Sequence, residues 1–160
     1  MTDKSSMSTL ARFRKPKGLL QLVKLIETSE PEKRRQLLSL IAKEDPGWAH
    51  MVSVKSLSFE KVAAWPEPVL EKVFDQMPAS LLTPLLQMAA PSYVPKLQAC
   101  VPGRLQKEVD QLFRERRFTR DEKSVALNRL FTNIRELQDQ GVLSFATFDP
   151  ALDIDLRLAG

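Results

Sequence analysis

The sequence has 160 residues, of which 43% are hydrophobic and 28% charged, and its formal net charge is +4. These totals are ordinary for a folded domain and exclude a fibrous or globally disordered chain. A single cysteine, Cys100, excludes an intramolecular disulfide. Because His50 is the only histidine, a zinc site of the usual Cys/His kind is not expected.

The N-terminus carries most of the positive charge. Between Met1 and Lys24 there are six basic residues and one acid, and the rest of the chain is close to balanced. We therefore predict a flexible basic N-terminal arm over residues 1–17, and no strong basic face on the folded body. No apolar run is long enough to cross a bilayer, and residues 1–9 lack the hydrophobic stretch of a secretory signal, so we expect a cytoplasmic protein.

Prolines and hydroxyl residues divide the next part of the chain into short helical patterns, because proline fits the first turn of a helix. In chain order these patterns span 18–28, 31–44, 46–54, 58–65, 66–77, 80–88, 93–101 and 103–115. In the second pattern, the residues that face inward are Leu37, Leu38, Leu40 and Ile41. In the sixth, Pro84 predicts either a helix that starts at Thr83 or a kink.

One long helix is predicted between Thr119 and Gly141. Thr119 precedes Glu122 by three residues, the spacing of a capping box, and Gly141 suits a left-handed helix end. The apolar stripe between them consists of Leu127, Leu130, Phe131, Ile134 and Leu137. A stripe of this length needs several partner helices to cover it.

The fold class follows from these patterns. No segment alternates polar and apolar residues convincingly enough for a strand. The tail over residues 146–160 mixes acids with leucines, and we expect it to be partly disordered. We therefore predict an all-α fold in which short helices stack on their neighbours and one long helix closes the array.

No motif of catalysis or cofactor binding is present. Cys100 has no histidine near it in sequence, so we interpret it as a small buried residue, and we interpret His50 as a half-buried helix residue. The acidic pairs 44–45 and 121–122 lie at predicted helix ends, where a structural role is expected. The sequence has no glycine-rich phosphate loop. We expect no enzymatic activity, no cofactor and no bound metal.

Several short motifs follow the order and spacing of one known family. They are Gly18-Leu19-Leu20, Lys43-Glu44-Asp45-Pro46, Leu57-Ser58-Phe59-Glu60, Met88-Ala89-Ala90-Pro91, Gly103-Arg104 and Glu136-Leu137-Gln138-Asp139-Gln140-Gly141. Together they resemble the C-terminal region of FliG, the rotor switch protein of the bacterial flagellar motor, over about 18–145. Each motif is weak by itself, and their common order makes the resemblance specific.

The resemblance implies two helical parts and a hinge. An armadillo-like helical bundle is expected over 18–54, and a six-helix subdomain that includes the long helix over 55–145. The family's hinge motif corresponds here to Leu57, Ser58 and Phe59, of which only Phe59 keeps the aromatic pattern.

The resemblance also implies partners, namely other rotor, switch or stator-like protein subunits. The residues expected to stack on a neighbouring subunit are Leu37, Leu40 and Ile41. Those expected to present charge to a second partner are Arg104, Lys107, Arg114 and Arg117, for which an ordinary solvated helix face is the alternative interpretation. We expect no nucleic acid and no transmembrane segment, and a place in the cytoplasm or, through partners, at the inner face of the membrane.

The chain also departs from the family pattern. Arg104 matches one stator-facing charge, but Gln87 stands where a lysine is expected, and Gln111 and Leu112 stand where two acids are expected. The family's N-terminal and middle domains have no counterpart in the sequence. The chain is then either a fragment or a short, divergent paralogue, and we favour the paralogue.

Two alternatives remain open. One is a nucleic-acid-binding protein that uses the basic residues of 12–17 and 114–120 and whose affinity falls steeply with salt. The other is a FliG-like scaffold with no motor role, which the sequence does not distinguish from a motor component.

Overall fold

The structure is a computed structural model, and it describes residues 10, 13, 14 and 17–154. Ten α-helices and one short 3-10 helix have their bounds within these residues, which contain no strand, so the predicted all-α class is confirmed. The helices are α1 (Gly18–Glu27), α2 (Pro31–Glu44), α3 (Pro46–Lys55), α4 (Phe59–Ala63), α5 (Glu67–Phe74), α6 (Ala79–Met88), α7 (Val94–Ala99), α8 (Gly103–Glu115), α9 (Arg120–Asp139) and α10 (Phe145–Phe148).

The chain divides into two compact units. Unit 1 consists of Met1–Leu57 together with Phe145–Gly160, and unit 2 consists of Ser58–Ser144. The described part of unit 1 therefore contains α1 to α3 and α10, whereas unit 2 contains the six helices α4 to α9. The last helix of unit 2, α9, is also its longest, at 20 residues.

The core of unit 1 includes residues from the N-terminal arm. Leu10 and Phe13 are buried among the apolar residues of α1, and Arg14 forms an ion pair of 3.0 Å with Asp45. A Cβ atom on Gly18 would lie 1.8 Å from the carbonyl oxygen of Phe13, so only glycine permits this approach. This packing differs from the flexible arm expected over residues 1–17, whose other members except Lys17 lie outside the described residues.

The C-terminal segment also packs on unit 1. After α10, a 3-10 helix at Pro150–Leu152 buries Leu152 completely, and Ile154 contacts the core. The Lys55 ammonium donates a 2.6 Å hydrogen bond to the carbonyl of Asp153. Residues 146–154 of the tail, for which partial disorder was expected over 146–160, are therefore packed, because their apolar side chains have a core to enter. Residues 155–160 lie outside the described part of the chain.

Unit 2 is built around α6, which packs against both α8 and α9. α6 runs from Ala79 to Met88 through Pro84, so a start at Thr83, the first of the two alternatives, is excluded. The Thr83 hydroxyl donates a 2.7 Å hydrogen bond to the carbonyl of Ala79, in the turn before the proline. α6 is held mainly by burial, since five consecutive residues from Leu82 are buried.

The predicted ends of the long helix are confirmed. Thr119 and Glu122 each accept a hydrogen bond from the other's backbone N–H, which forms the capping box. At the C-terminal end, Gly141 has φ 78°, and the backbone N–H groups of Gly141 and Val142 bond back to α9 in a Schellman arrangement. The predicted stripe is buried except for Leu127, which is half-buried.

Candidate functional site

Four exposed side chains lie in one row along the outer face of α8. Arg104, Lys107, Gln111 and Arg114 are three, four and three residues apart, which places them on one side of a helix. The side of α8 that faces the core contains the buried Val109. The structure thus brings together three of the four residues predicted to form a charged face.

Acidic side chains accompany this row. Arg104 pairs with Asp75, with its guanidinium 3.1 Å from Oδ1 and 2.5 Å from the backbone carbonyl. Glu108 and Glu115 lie beside the row and Asp110 lies on its other flank, so α8 carries three basic and three acidic residues. The helix therefore presents a basic row flanked by acids and has no net charge as a whole, which suits recognition of a patterned protein surface better than a phosphate backbone.

Arg117, the fourth predicted residue, lies beyond α8 in the turn to α9. This turn is held by Gln87, whose Nε2 donates to the carbonyls of Phe113 (3.4 Å) and Arg116 (2.5 Å). Its Oε1 accepts the backbone N–H of Phe118 at 3.0 Å. The sequence identified Gln87 only as a replacement for the family's lysine, because nothing local in a sequence shows which backbone groups a glutamine reaches.

The three residues predicted to stack on a partner do not form one exposed patch. Ile41 is buried, Leu37 is half-buried against the same core, and Leu40 is 47% exposed. Leu40 lies in a shallow surface groove of about 540 Å³ along the outer face of α2. The groove is otherwise lined by Glu32, Arg35, Gln36, Ser39 and Lys43. Only Leu40 is therefore available for contact without a change in unit 1.

The three predicted hinge residues lie on both sides of the boundary between the units. Leu57 ends the first part of unit 1, and its backbone N–H donates a 2.9 Å hydrogen bond to the buried carboxylate of Glu27. Ser58 begins unit 2, where its hydroxyl accepts the N–H of Lys61 and caps α4. Phe59, the first residue of α4, is buried. The side chain of Glu27 was not singled out in the sequence, since it looks like an ordinary helix-end acid.

The residues with reactive or metal-binding side chains are dispersed. Burial raises the pKa of the Cys100 thiol, with a smaller contribution from the negative charge of Glu67. His50 lies on α3 and is exposed, not half-buried as expected. In the described part of the chain, no group of three or more His, Cys, Asp or Glu side chains is arranged to hold a metal ion.

One further groove, of about 510 Å³, lies between α9 and the turn before α6. It is lined by Gln76, Met77, Pro78, Leu81, Arg129, Thr132, Asn133 and Glu136. The Asn133 amide is already used, because it donates a 2.7 Å hydrogen bond to the carbonyl of Val73. This lining combines neither a nucleophile with a base nor several acids with one another.

No protein-family model matches the sequence, and no curated protein matches it either. Among the helices in the described ranges, none is both long enough and apolar enough to cross a membrane.

Proposed function

We propose that this chain is a non-enzymatic protein-interaction module of the FliG C-terminal type, which acts in a flagellar rotor or another motility-linked assembly. The observation that carries the proposal is the shared order of the family-like motifs over residues 18–145. The division of the chain supports it, because α1 to α3 belong to one unit and the six helices α4 to α9 to another. An armadillo-like character for unit 1 is part of the proposal.

In this proposal, the two units present different surfaces to different partners. Leu40 and the outer face of α2 contact a neighbouring rotor or switch subunit. The row formed by Arg104, Lys107 and Arg114, together with Arg117, meets a stator-like protein of alternating charge. The module works in the cytoplasm, or at the inner face of the membrane through its partners.

The departures from the family pattern limit what the module does. Gln87, in place of a lysine, is engaged with backbone groups, and Leu112, in place of an acid, is half-buried. Neither supplies the charge expected of a torque-transmitting surface. We therefore propose binding within the assembly as the function, and leave generation of torque out of it.

The arm offers little support for the nucleic-acid alternative. Arg14 is paired with Asp45, and its guanidinium lies 5.3 Å from the centre of the Trp48 ring. A side chain held in this way is less available to a phosphate group than one on a free arm. The other alternative is a FliG-like scaffold with no motor role, and an experiment has to distinguish it from a motility-linked module.

Affinity capture from the cell of origin tests the proposal. We expect the tagged chain to recover flagellar rotor, switch or stator proteins, and a Lys107→Glu variant to recover less of them. Lys24→Glu, which makes the same charge reversal at an exposed position of α1, is the matched control and should behave like the unmodified chain. Recovery of non-motility proteins alone would favour the scaffold, and recovery of nucleic acid that is lost with added salt would favour the other alternative.

A further inference from the structure

The side-chain amide of Gln87 makes three hydrogen bonds, all to backbone groups at the end of α8 and in the turn to α9. It donates to carbonyls on the last turn of α8 and at Arg116, and it accepts from the N–H of Phe118. One glutamine thus satisfies three backbone groups that neither helix satisfies for itself. Neither lysine, which cannot accept, nor glutamate, which cannot donate, is able to make this set of bonds.

Side chains within the turn hold it further. The Arg116 guanidinium lies 4.3 Å from the centre of the Phe118 ring, and it pairs with Glu122. Glu122 is at the same time part of the capping box with Thr119. The turn is therefore tied to α6 through Gln87 and to the start of α9 through Glu122.

Arg117 lies between Arg116 and Phe118, the two residues of the turn that the bonds to Gln87 and the ring contact hold in place. The backbone at Arg116 is extended, with φ −134° and ψ 138°, so successive side chains leave the turn on opposite sides. Phe118 is buried, whereas Arg117 is exposed. Among the residues that the structure describes, no hydrogen bond or ion pair engages the Arg117 guanidinium. A charge on a fixed backbone loses less entropy on binding than one on a mobile loop.

We infer that Gln87 is a positioning residue, and that it fixes the turn so that Arg117 is presented to a carboxylate on a partner protein. The inference rests on the proposed function and deepens it by naming the partner group and the residue behind the contact. A carboxylate is favoured over nucleic acid because the four arginines of residues 114–122 are interrupted by three acids, so the stretch lacks the continuous positive charge that a phosphate backbone needs. A single carboxylate can pair with the planar guanidinium of Arg117 without approaching these acids.

A double-mutant cycle on the full chain tests this inference. The probe is a short fluorescently labelled peptide at low salt in which glutamates are separated by neutral residues, and binding is followed by anisotropy. Arg117→Ala should weaken binding about threefold, the size expected for one exposed charge pair. Gln87→Ala should weaken it by a similar factor, and the double variant no further, because Gln87 acts only through Arg117. Arg129→Ala, which removes an equal charge from the exposed side of α9, is the control for net charge.

A purely structural role for Gln87 gives a different result. In that case, Gln87→Ala would lower the free energy of unfolding with or without Arg117, and the folded protein would bind the probe with unchanged affinity. Alternatively, the loss of affinity caused by Gln87→Ala would add to the loss caused by Arg117→Ala. Either outcome would overturn the inference, as would the absence of binding by the unmodified chain or tighter binding to an oligothymidylate of equal charge. If Gln87→Ala does not fold, Gln87→Glu, which keeps the acceptor for Phe118, takes its place in the cycle. Because the probe is synthetic, failure here is distinguishable from failure of the capture from cells.

Discussion

At the scale of single residues, Glu27 is the clearest case of a side chain whose role depends on the fold. It is buried, with only 2% of its surface exposed, and its carboxylate accepts the N–H of Leu57, which is also buried. A buried acid is unfavourable unless it is hydrogen-bonded. The bond spans 30 residues in sequence, so it ties the end of α1 to the last residue before the unit boundary.

Removing this acceptor should destabilise unit 1. We predict that Glu27→Ala lowers its free energy of unfolding by about 1–3 kcal/mol, because the buried N–H of Leu57 loses its partner. Glu27→Gln, which keeps an oxygen acceptor, should lower it less. The measurement is urea denaturation in a Trp65→Phe background, where Trp48 fluorescence reports on unit 1 alone. The exposed Glu30→Ala is the matched control, and an equal loss there would contradict the account.

Two helix-starting glycines give opposite predictions. A Cβ atom at Gly18 would overlap the backbone of Phe13, whereas at Gly103 it would meet nothing within 4 Å. Gly18→Ala should therefore displace the buried N-terminal residues and destabilise unit 1 by about 1–3 kcal/mol, as overpacking does. Gly103→Ala should be neutral or slightly stabilising. Thermal unfolding of both variants tests this, and similar shifts for the two would show that the arm is not packed at Gly18.

Sequence predicts little at this scale beyond residues that act on their neighbours in the chain. The role of Thr119 as a helix cap was readable, since a cap bonds to a residue three positions away. The partners of Glu27 and Gln87 are 26 to 31 residues distant, and helical periodicity carries no information about them. The burial of Phe13 was hidden in the same way, because it lies in a basic stretch.

At the scale of elements, α9 shows how much of a helix a sequence specifies. Three features of this helix depend only on residues that are close in sequence, namely its first residue, its capping box and its glycine end. Each is found where the pattern places it. The packing of the C-terminal segment, in contrast, depends on residues that are distant in sequence. Its 3-10 helix has no periodic signal in sequence and is ordered by burying Leu152 in unit 1.

The capping box should contribute measurably to unit 2. We predict that Thr119→Ala lowers the free energy of unfolding of unit 2 by about 1 kcal/mol, since the N–H of Glu122 loses its acceptor. Thr132→Ala, an exposed change in the middle of α9, is the control and should be neutral or stabilising. Urea denaturation followed by Trp65 fluorescence in a Trp48→Phe background provides the measurement. Equal effects at the two threonines would rule out a capping role.

Glu122 and Asp45, the two acids that cap helices, should make the free energy of unfolding fall at low pH. The backbone N–H of Thr119 lowers the pKa of Glu122, with help from Arg116, and the N–H of Trp48 lowers the pKa of Asp45. An acid whose pKa is lower in the folded state stabilises the fold at pH values above its unfolded pKa, and this contribution is lost as the pH falls through the folded pKa. We therefore expect stability to decline below the ordinary carboxyl range, at about pH 4.

Neutral variants separate these two acids from the others. Glu122→Gln should flatten the acid limb of the unfolding curve for unit 2, and Asp45→Asn should flatten it for unit 1. Denaturation at a series of pH values, read from the tryptophan of each unit, gives both slopes. An acid limb in either unit that keeps its full slope in the neutral variant would contradict the assigned role.

At the scale of the whole molecule, the helical class and the long closing helix were predictable, but the composition of the units was not. The first part of the chain and its last residues belong to one unit, although 87 residues of the other unit separate them. No pattern in the sequence links 145–154 to α3. The candidate surfaces show the same limit, since helical spacing aligned Arg104 with Lys107 but placed Leu40 inward, whereas Leu40 is 47% exposed.

The central claim is that this molecule binds proteins of a motility assembly through exposed surfaces on its two units. The most direct test places a photo-cross-linking amino acid at Leu40, at Lys107 and, as a control, at the exposed Ser92 in the cell of origin. The account predicts cross-links from positions 40 and 107 to flagellar rotor, switch or stator proteins, and none of these from position 92. The same cross-links from all three positions, or cross-links from 40 and 107 only to proteins unrelated to motility, would contradict it.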